Sequence, residues 1–343
     1  MDKLRLLCLF SGFGAFEKAL TNLSMDYELI NFCEIDKHAA KSYCAIHDVN
    51  ENLNLGDITK IDISKLPTNV DLITHGSPCQ DYSISGLQAG GDKGSGTRSS
   101  LMWNTVEIVK HCKPKYVVWE NVKNVLAKKH IHNFEQYLKD LEDIGYKSYY
   151  KVLNAKDFGI PQNRERIYCI SILGEHKSYE FPDETLITTP NIRDYIEEFD
   201  SSSEYILKPY VRNQIRKTKF KKERYIQETE DIMNRTIKGF RIMDYRYDEG
   251  LRIRKNNLCP TLTTKANSSI SSVPIVYNNG ELRFMMPIES WRLMGFSDED
   301  YHKAESIPTS IAQLYKQAGN SVVVKVVEKL YENLFDMGGI SYE

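Results

Sequence analysis

LRLLCLFSGFGAFEKAL, residues 4–20, joins an unbroken apolar run to a glycine turn and then to a segment with helical spacing. The order is strand, tight turn, helix, and the continuous run suits a strand covered on both faces of a sheet. Outward from it the alternation repeats. YELINFCEID reads as a second strand followed by the helix HAAKSYCAIH, and VDLITHG and KYVVWENV are further Val/Ile-rich runs with the helix MWNTVEIVKHC between them. Strands alternating with helices predict an α/β fold with a Rossmann-like, mainly parallel sheet. YYKVLNAKDFG and RIYCISILG read as late strands, antiparallel at one edge. After Gly174 the periodicity degrades, and it returns in IESWRLMGF and in the amphipathic SVVVKVVEKLYENLF. The expected division is 1–185 for the α/β domain, 186–285 for a smaller domain, and 286–343 for a hinge and a C-terminal helix that returns to the first domain.

With 343 residues, 41% hydrophobic and 27% charged, the composition is that of an ordinary globular enzyme and gives no reason to invoke disorder. The N-terminal apolar run is too short to span a membrane and leads into a glycine turn instead of a cleavage site, so no membrane partner and a cytoplasmic location are expected. The seven cysteines (8, 33, 44, 79, 112, 169 and 259) are scattered, without a CxxC pair or CxxH. Neither a disulfide framework nor a metal site is expected. The net charge of −2 conceals an asymmetry: residues 205–255 hold fifteen Lys/Arg against seven Asp/Glu. That segment interleaves cations with aromatics and short polar residues (KFKKERY, RIMDYRYDEGLRIRKNN), the mixture that contacts phosphates and base edges. A solvated lysine-rich surface is the other reading.

FSGFG, residues 10–14, lies where an α/β fold holds a nucleotide-like ligand, with glycines for close backbone approach and a helix N-terminus behind them. The full GxGxxG pattern is absent because Glu17 stands at the third glycine, so a pyrophosphate is not the favoured ligand. Glu34 in CEID follows the second strand and suits ribose hydroxyls. Asp57 in LGDIT is expected at the end of the next segment, placed to accept from an adenine amino group. Three sites at successive strand ends would make an adenosine pocket.

GSPCQDYS, residues 76–83, sets Cys79 between Pro78 and Gln80 after a buried strand, with a glycine-rich segment behind it. A thiol there reads either as a small core residue or as a nucleophile at the base of a flexible lid. A free thiol is only a few per cent thiolate at neutral pH, so a nucleophile needs a nearby cation or helix N-terminus. Glu120 ends the strand WENV at the same sheet edge, flanked by Val117, Val118, Trp119 and Val122, where partial desolvation favours a protonated donor. Arg164 and Arg166 in QNRERIY alternate into a strand and are expected on one face.

FSGFG, CEID, GD, GSPCQ, WENV, QNRERIY and QAGNSV occur in the order and approximate spacing of the DNA (cytosine-5) methyltransferases of bacterial and phage modification systems, which this chain closely resembles over nearly its whole length. The basic segment falls where that family has its variable target-recognition domain. The resemblance implies S-adenosylmethionine as methyl donor and duplex DNA as substrate, with a separate cognate restriction endonuclease as a further partner and a monomeric enzyme. It implies that Cys79 adds to cytosine C6 while Glu120 serves N3 and Arg166, with Arg164 beside it, the ring carbonyl. Phe10, Gly12, Gly14, Glu34, Ile35, Asp57, Pro78 and Asn320 would line the cofactor; Ile35 replaces the aromatic that many members place against adenine. Gln80, Ser83, Ser85 and Arg98 would contact DNA once the target base is flipped out of the duplex.

Three other readings remain open at this stage. One branch of the family methylates transfer RNA, but its Cys-Phe-Thr signature does not occur here. A binding protein with this fold would be expected to lose the thiol or its partner acid. A nicotinamide dehydrogenase fits the strand-glycine-acid pattern, against the incomplete glycine fingerprint.

Overall fold

A computed structural model of the chain describes residues 3–82, 89–184, 188–198, 203–218, 223–247, 249–264, 271 and 273–336. It separates into two compact units, one formed by residues 1–154, 165–184 and 324–343 and the other by residues 155–164 and 185–323.

The strands of the first half are β1 (Leu4–Leu9), β2 (Tyr27–Cys33), β3 (Leu72–His75), β4 (Tyr116–Val122), β5 (Tyr146–Asn154), the two-residue β6 (Gln162–Asn163) and β7 (Glu165–Leu173). All but β6 build the six-stranded sheet of the first unit, in the order β2-β1-β3-β4-β7-β5. β1 pairs in parallel with β2 and β3, and β3 with β4. β7 runs antiparallel to both β4 and β5, so the reversed strand is inserted beside the edge strand. The central strands are apolar throughout because helices cover both faces: all of β3 and nearly all of β1 and β4 is buried.

The helices of this unit are α1 (Ala15–Asn22), α2 (Lys37–His47), α3 (Met102–Cys112) and α4 (Ile131–Glu142). Asp36 caps α2 by accepting from the backbone of His38 and Ala39. The C-terminal helix also belongs here, and Asn22 on α1 donates to Glu328 on it at 2.6 Å.

Because order reverses on either side of β1, the C-terminal ends of β1 and β3 flank the topological switch point, where such sheets take ligands. The register draws a line across the sheet: Leu9 lies beside Cys33 and His75, His75 beside Trp119, and Trp119 beside Cys169. Past that line, at one edge, come Phe10, Glu34, Gly76 and Glu120, and the antiparallel β7 brings Arg166 to the same edge opposite Val122.

The second unit holds α5 (Pro209–Arg216), α6 (Glu223–Met233), β8 (Phe240–Arg246), β9 (Gly250–Ile253), β10 (Cys259–Pro260), β11 (Ile275–Asn278), β12 (Glu281–Phe284), α7 (Pro287–Arg292), α8 (Asp298–Glu305) and α9 (Ile311–Asn320). β12-β11-β8-β9 form an antiparallel sheet, and β10 pairs with β6. Its core gathers Leu207, Val211, Ile215, Met243, Tyr245, Ile275, Tyr277 and Leu282. A buried ion pair joins Arg283 to Glu289, whose carboxylate also accepts from the backbone of Met286 and Glu197.

The compact units do not follow the order of the sequence. Only α10 (Val324–Asp336) returns to the first unit, whereas α7 to α9 belong to the second, as do residues 155–164. The stretch after Gly174 without sustained periodicity nevertheless forms helices and a sheet. α5 is eight residues long and buries only Val211 and Ile215, too few positions for a periodic signal to stand out.

Candidate active site

The first turn after β1 is shaped by backbone conformation. Phe10 has φ 53°, and Gly12 and Gly14 have φ 58° and 91°. A phenylalanine in the left-handed region costs about 1–3 kcal/mol and persists where the surroundings fix it. At Gly14 a Cβ would lie 1.9 Å from Nε2 of His47, a nitrogen that contacts the Phe13 carbonyl at 3.2 Å. The turn can therefore press against α2 only with glycine there.

Glu34 links this turn to the end of β2. Its carboxylate accepts from the backbone N–H of Gly12 at 2.9 Å and of Asp36 at 2.7 Å, while its own backbone exchanges two hydrogen bonds with the Asn54 side chain. Burial pushes its carboxyl above the ordinary value despite those two N–H donors. Ile35 beside it is 70% exposed. Asp57 is not at a strand end: it caps the short turn Ile58–Lys60, accepting from the Thr59 hydroxyl at 2.8 Å and its N–H at 3.0 Å. Those bonds, with the hydroxyl's the larger, hold its carboxyl below the usual range. The polar stretch around it is too short to pair as a full strand, and only Asn54 forms an isolated bridge to Phe32.

The thiol loop is held from β4. Trp119 donates its indole N–H to the Ser77 hydroxyl at 3.0 Å, and the Asn121 amide donates to the Ser77 carbonyl at 3.0 Å and hydroxyl at 3.2 Å. All three residues are buried. Glu120, between the two donors, turns to the other face, where a Cβ on Gly76 would lie 3.7 Å from its Oε2. Its Oε1 is 3.1 Å from Nε of Arg166. Strand alternation thus assigns one side of β4 to fixing the loop and the other to presenting a carboxylate. The clamp of Ser77, Trp119 and Asn121 is absent from the sequence reading; the alternation of Trp119 and Asn121 about Glu120 is the signal that points to it.

Cys79 is half-buried two residues beyond this clamp. Five other cysteines are buried, and burial pushes their thiols up, to about 11 at Cys112 and about 12 at Cys33 and Cys169. Buried thiols of that kind are poor nucleophiles. Cys44 on α2 is half-buried with its thiol also raised, and none of the seven cysteines forms a disulfide.

Beyond Cys79 the loop stem is closed on itself. Gln80 accepts from Arg98 at 2.7 Å, and Asp81 and Ser99 exchange hydrogen bonds of 3.2 and 3.0 Å. Asp92 is held by His132 and Asn133 at 2.8 Å each. Ser83 and Ser85 lie outside the described residues.

Arg164 and Arg166 do not share a face. β7 begins only at Glu165, and Arg164 belongs to the second unit, where it is buried and donates to the carbonyls of Leu262 at 3.1 Å, Gly319 at 3.1 Å and Ser321 at 2.6 Å. Asn320 ends α9 in that same unit. A Cβ on the neighbouring Gly319 would meet the Thr263 carbonyl carbon at 2.4 Å, so the QAGNS segment packs directly on backbone.

A parallel sheet with one inserted antiparallel strand, and with a glycine turn, an acid and a thiol loop at its C-terminal edge, defines the S-adenosylmethionine-dependent methyltransferase class. Residues 4–336 match the C-5 cytosine-specific DNA methylase family, and the chain belongs to it. It is 34% identical to the type II methyltransferase M2.ScrFI of Lactococcus lactis subsp. cremoris, covering 97% of this chain and 99% of that protein. Identity to the orphan methyltransferase M.SPRI of Bacillus phage SPR is 30%, covering 97% and 98%. The fold is similar to that of the S. pombe Dnmt2 methyltransferase, with TM-score 0.69, 20% identity and coverage of 98% and 100%. Among the described residues no helix is long and apolar enough to cross a membrane.

Proposed function

We propose that this enzyme methylates C5 of a flipped-out cytosine in duplex DNA through a covalent bond between Cys79 and C6. The observation that carries the reading is the meeting, at one sheet edge, of the clamped Gly76–Cys79 loop, the Glu120 carboxylate and the Arg166 guanidinium. Cytosine C5 is a weak nucleophile. As the thiolate's electron pair forms the S–C6 bond, the pair of the C5–C6 double bond shifts onto C5 and toward N3, and a hydrogen bond or proton from Glu120 at N3 stabilises the charge that gathers there. Arg166 orients Glu120 and stands beside the ring carbonyl. After methyl transfer, loss of the C5 proton expels the Cys79 thiolate and restores the aromatic ring, leaving 5-methylcytosine. Splitting the reaction this way replaces one prohibitive step by two feasible ones.

S-adenosylmethionine supplies an electrophilic methyl group on a sulfonium sulfur. The residues of the first unit fit it: the Gly12 turn offers open space at its Cα, Glu34 offers a carboxylate to the ribose, and the exposed Ile35 offers apolar surface to the adenine. Phe10, Gly14, Asp57 and Pro78 complete the proposed set, with Asn320 retained on the resemblance alone. Gln80 and Arg98 are proposed DNA contacts that must part from each other to reach it. The biological role is modification, either beside a cognate restriction endonuclease or in protecting phage DNA, by a monomer in the cytoplasm; relatives of both sorts support it.

Bisulfite sequencing of DNA from cells expressing the chain tests the reading. The expected result is 5-methylcytosine at one recurrent sequence; DNA left unmodified by soluble, folded protein overturns it.

A further inference from the structure

The second unit carries a surface that the catalytic reading does not use. α5 turns Val211 and Ile215 into the core, and its other face exposes Tyr210, Asn213, Gln214 and Lys217. With Thr218, Tyr245 and Tyr247 these residues line an open groove of about 750 Å³. The floor is fixed: Tyr245 is buried, hydrogen-bonds the Thr218 hydroxyl, and packs edge-on against Tyr247 at 5.4 Å. The rim is open, with Tyr210 68% and Tyr247 55% exposed. Among the described residues no hydrogen bond or ion pair engages the side chains of Asn213, Gln214 or Lys217.

Charge selects the occupant. Residues 205–222 contain seven Lys/Arg and no Asp/Glu. Within α5, Arg212 donates to the carbonyl of Leu207 at 3.0 Å and Arg216 to that of Met233 at 3.3 Å, and Lys208, Arg216 and Lys217 are exposed. The arginines that follow on β9 and after it are instead held by carboxylates of their own unit: Arg252 by Asp244 and Glu249, and Arg254 by Asp244. The stretch around α5 thus offers a polyanion cations with no carboxylates interspersed in sequence. Carboxamides add what a purely electrostatic surface lacks, a paired donor and acceptor that can match a base edge, most closely that of adenine.

We infer that the α5 groove is a target-reading subsite for duplex DNA. Asn213 and Gln214 hydrogen-bond to a base edge away from the methylated cytosine, Lys217 neutralises an adjacent phosphate, and Tyr210 and Tyr247 cover apolar sugar and base surface. The inference rests on the DNA-methylating reading above.

The test is methylation of a randomised duplex library by the full-length enzyme, read by bisulfite sequencing, for the wild type, the double variant Asn213→Ala with Gln214→Ala, and Lys217→Ala. All the replaced side chains are exposed, so the melting temperature is expected to stay at the wild-type value. The double variant should lose about 10- to 100-fold in discrimination at one target position, through weaker binding of the best site. Lys217→Ala should weaken binding evenly across sequences and reduce the slope of log affinity against log salt by about 1. Wild-type methylation with an unchanged target profile in the double variant and an unchanged salt slope in Lys217→Ala overturns the groove assignment alone. A library left unmethylated by the wild type overturns both the groove and the function it serves.

Discussion

At the sheet edge of the first unit, polar side chains are buried and already committed: Ser77 is held by Trp119 and Asn121, and Glu120 faces Arg166. On α5 of the second unit, carboxamides and a lysine stand in water. The contrast fits the role proposed for each region. A reacting thiol and its acid partner have to sit within tenths of an ångström of the right geometry, and only packed neighbours with complete hydrogen bonds hold them there. Side chains that read a ligand must keep bonding capacity unspent until the ligand arrives.

The comparison breaks most visibly at Cys79. Replacing it by Ser should reduce methyl transfer to background while cofactor affinity, measured by calorimetry, stays near the wild-type value; a Cys79→Ser enzyme of full activity removes the nucleophile from the scheme. Glu120→Gln should slow the chemical step by about 10²-fold or more in single-turnover assays, with DNA affinity preserved.

The two arginines sharpen the contrast within five residues of sequence. Arg166→Met should cost about 10²-fold in rate with little change in melting temperature. Arg164→Met leaves three buried carbonyls without their donor and should instead destabilise the second unit by about 2–4 kcal/mol, measured by thermal denaturation. Equal effects on rate and stability from both would erase the distinction drawn here. Ser77→Ala strips Trp119 and Asn121 of a shared acceptor and should lower kcat about tenfold through a displaced loop, with the KM for cofactor unchanged.

The smallest effect concerns pH. Glu34 titrates above the ordinary carboxylate value because it is buried, and only its ionised form accepts from ribose hydroxyls at both oxygens. Cofactor affinity should therefore decline as pH falls through that raised pKa. It would decline earlier than for an exposed carboxylate. Calorimetric titration across pH checks this, and Glu34→Gln should flatten the profile.

Much of this was legible in advance, and the exceptions are specific. The run from Leu4 to Leu20 announces strand, turn and helix because burial on both sides demands continuous apolar residues and the turn demands positive φ at Gly12 and Gly14. Cys79 and Glu120 could be placed at one edge since one follows a parallel strand and the other lies near the end of its parallel neighbour. Arg164 could not be separated from Arg166, because alternation assumes that both lie in the strand, and β7 starts between them. Asp57 looked like a strand end, yet it caps a short turn. The domain boundaries were blurred for a related reason: residues 155–164 leave the first unit and residues 324–343 return to it, with no change of composition to mark either crossing.

The sequence by itself determined the alternating fold and the family, because these depend on residue type and on local period. Tertiary structure alone decided which arginine meets Glu120, what fixes the thiol loop through Ser77, and which face of α5 stays open. Those are contacts between residues distant along the chain, and no local pattern encodes the partner that a side chain will find.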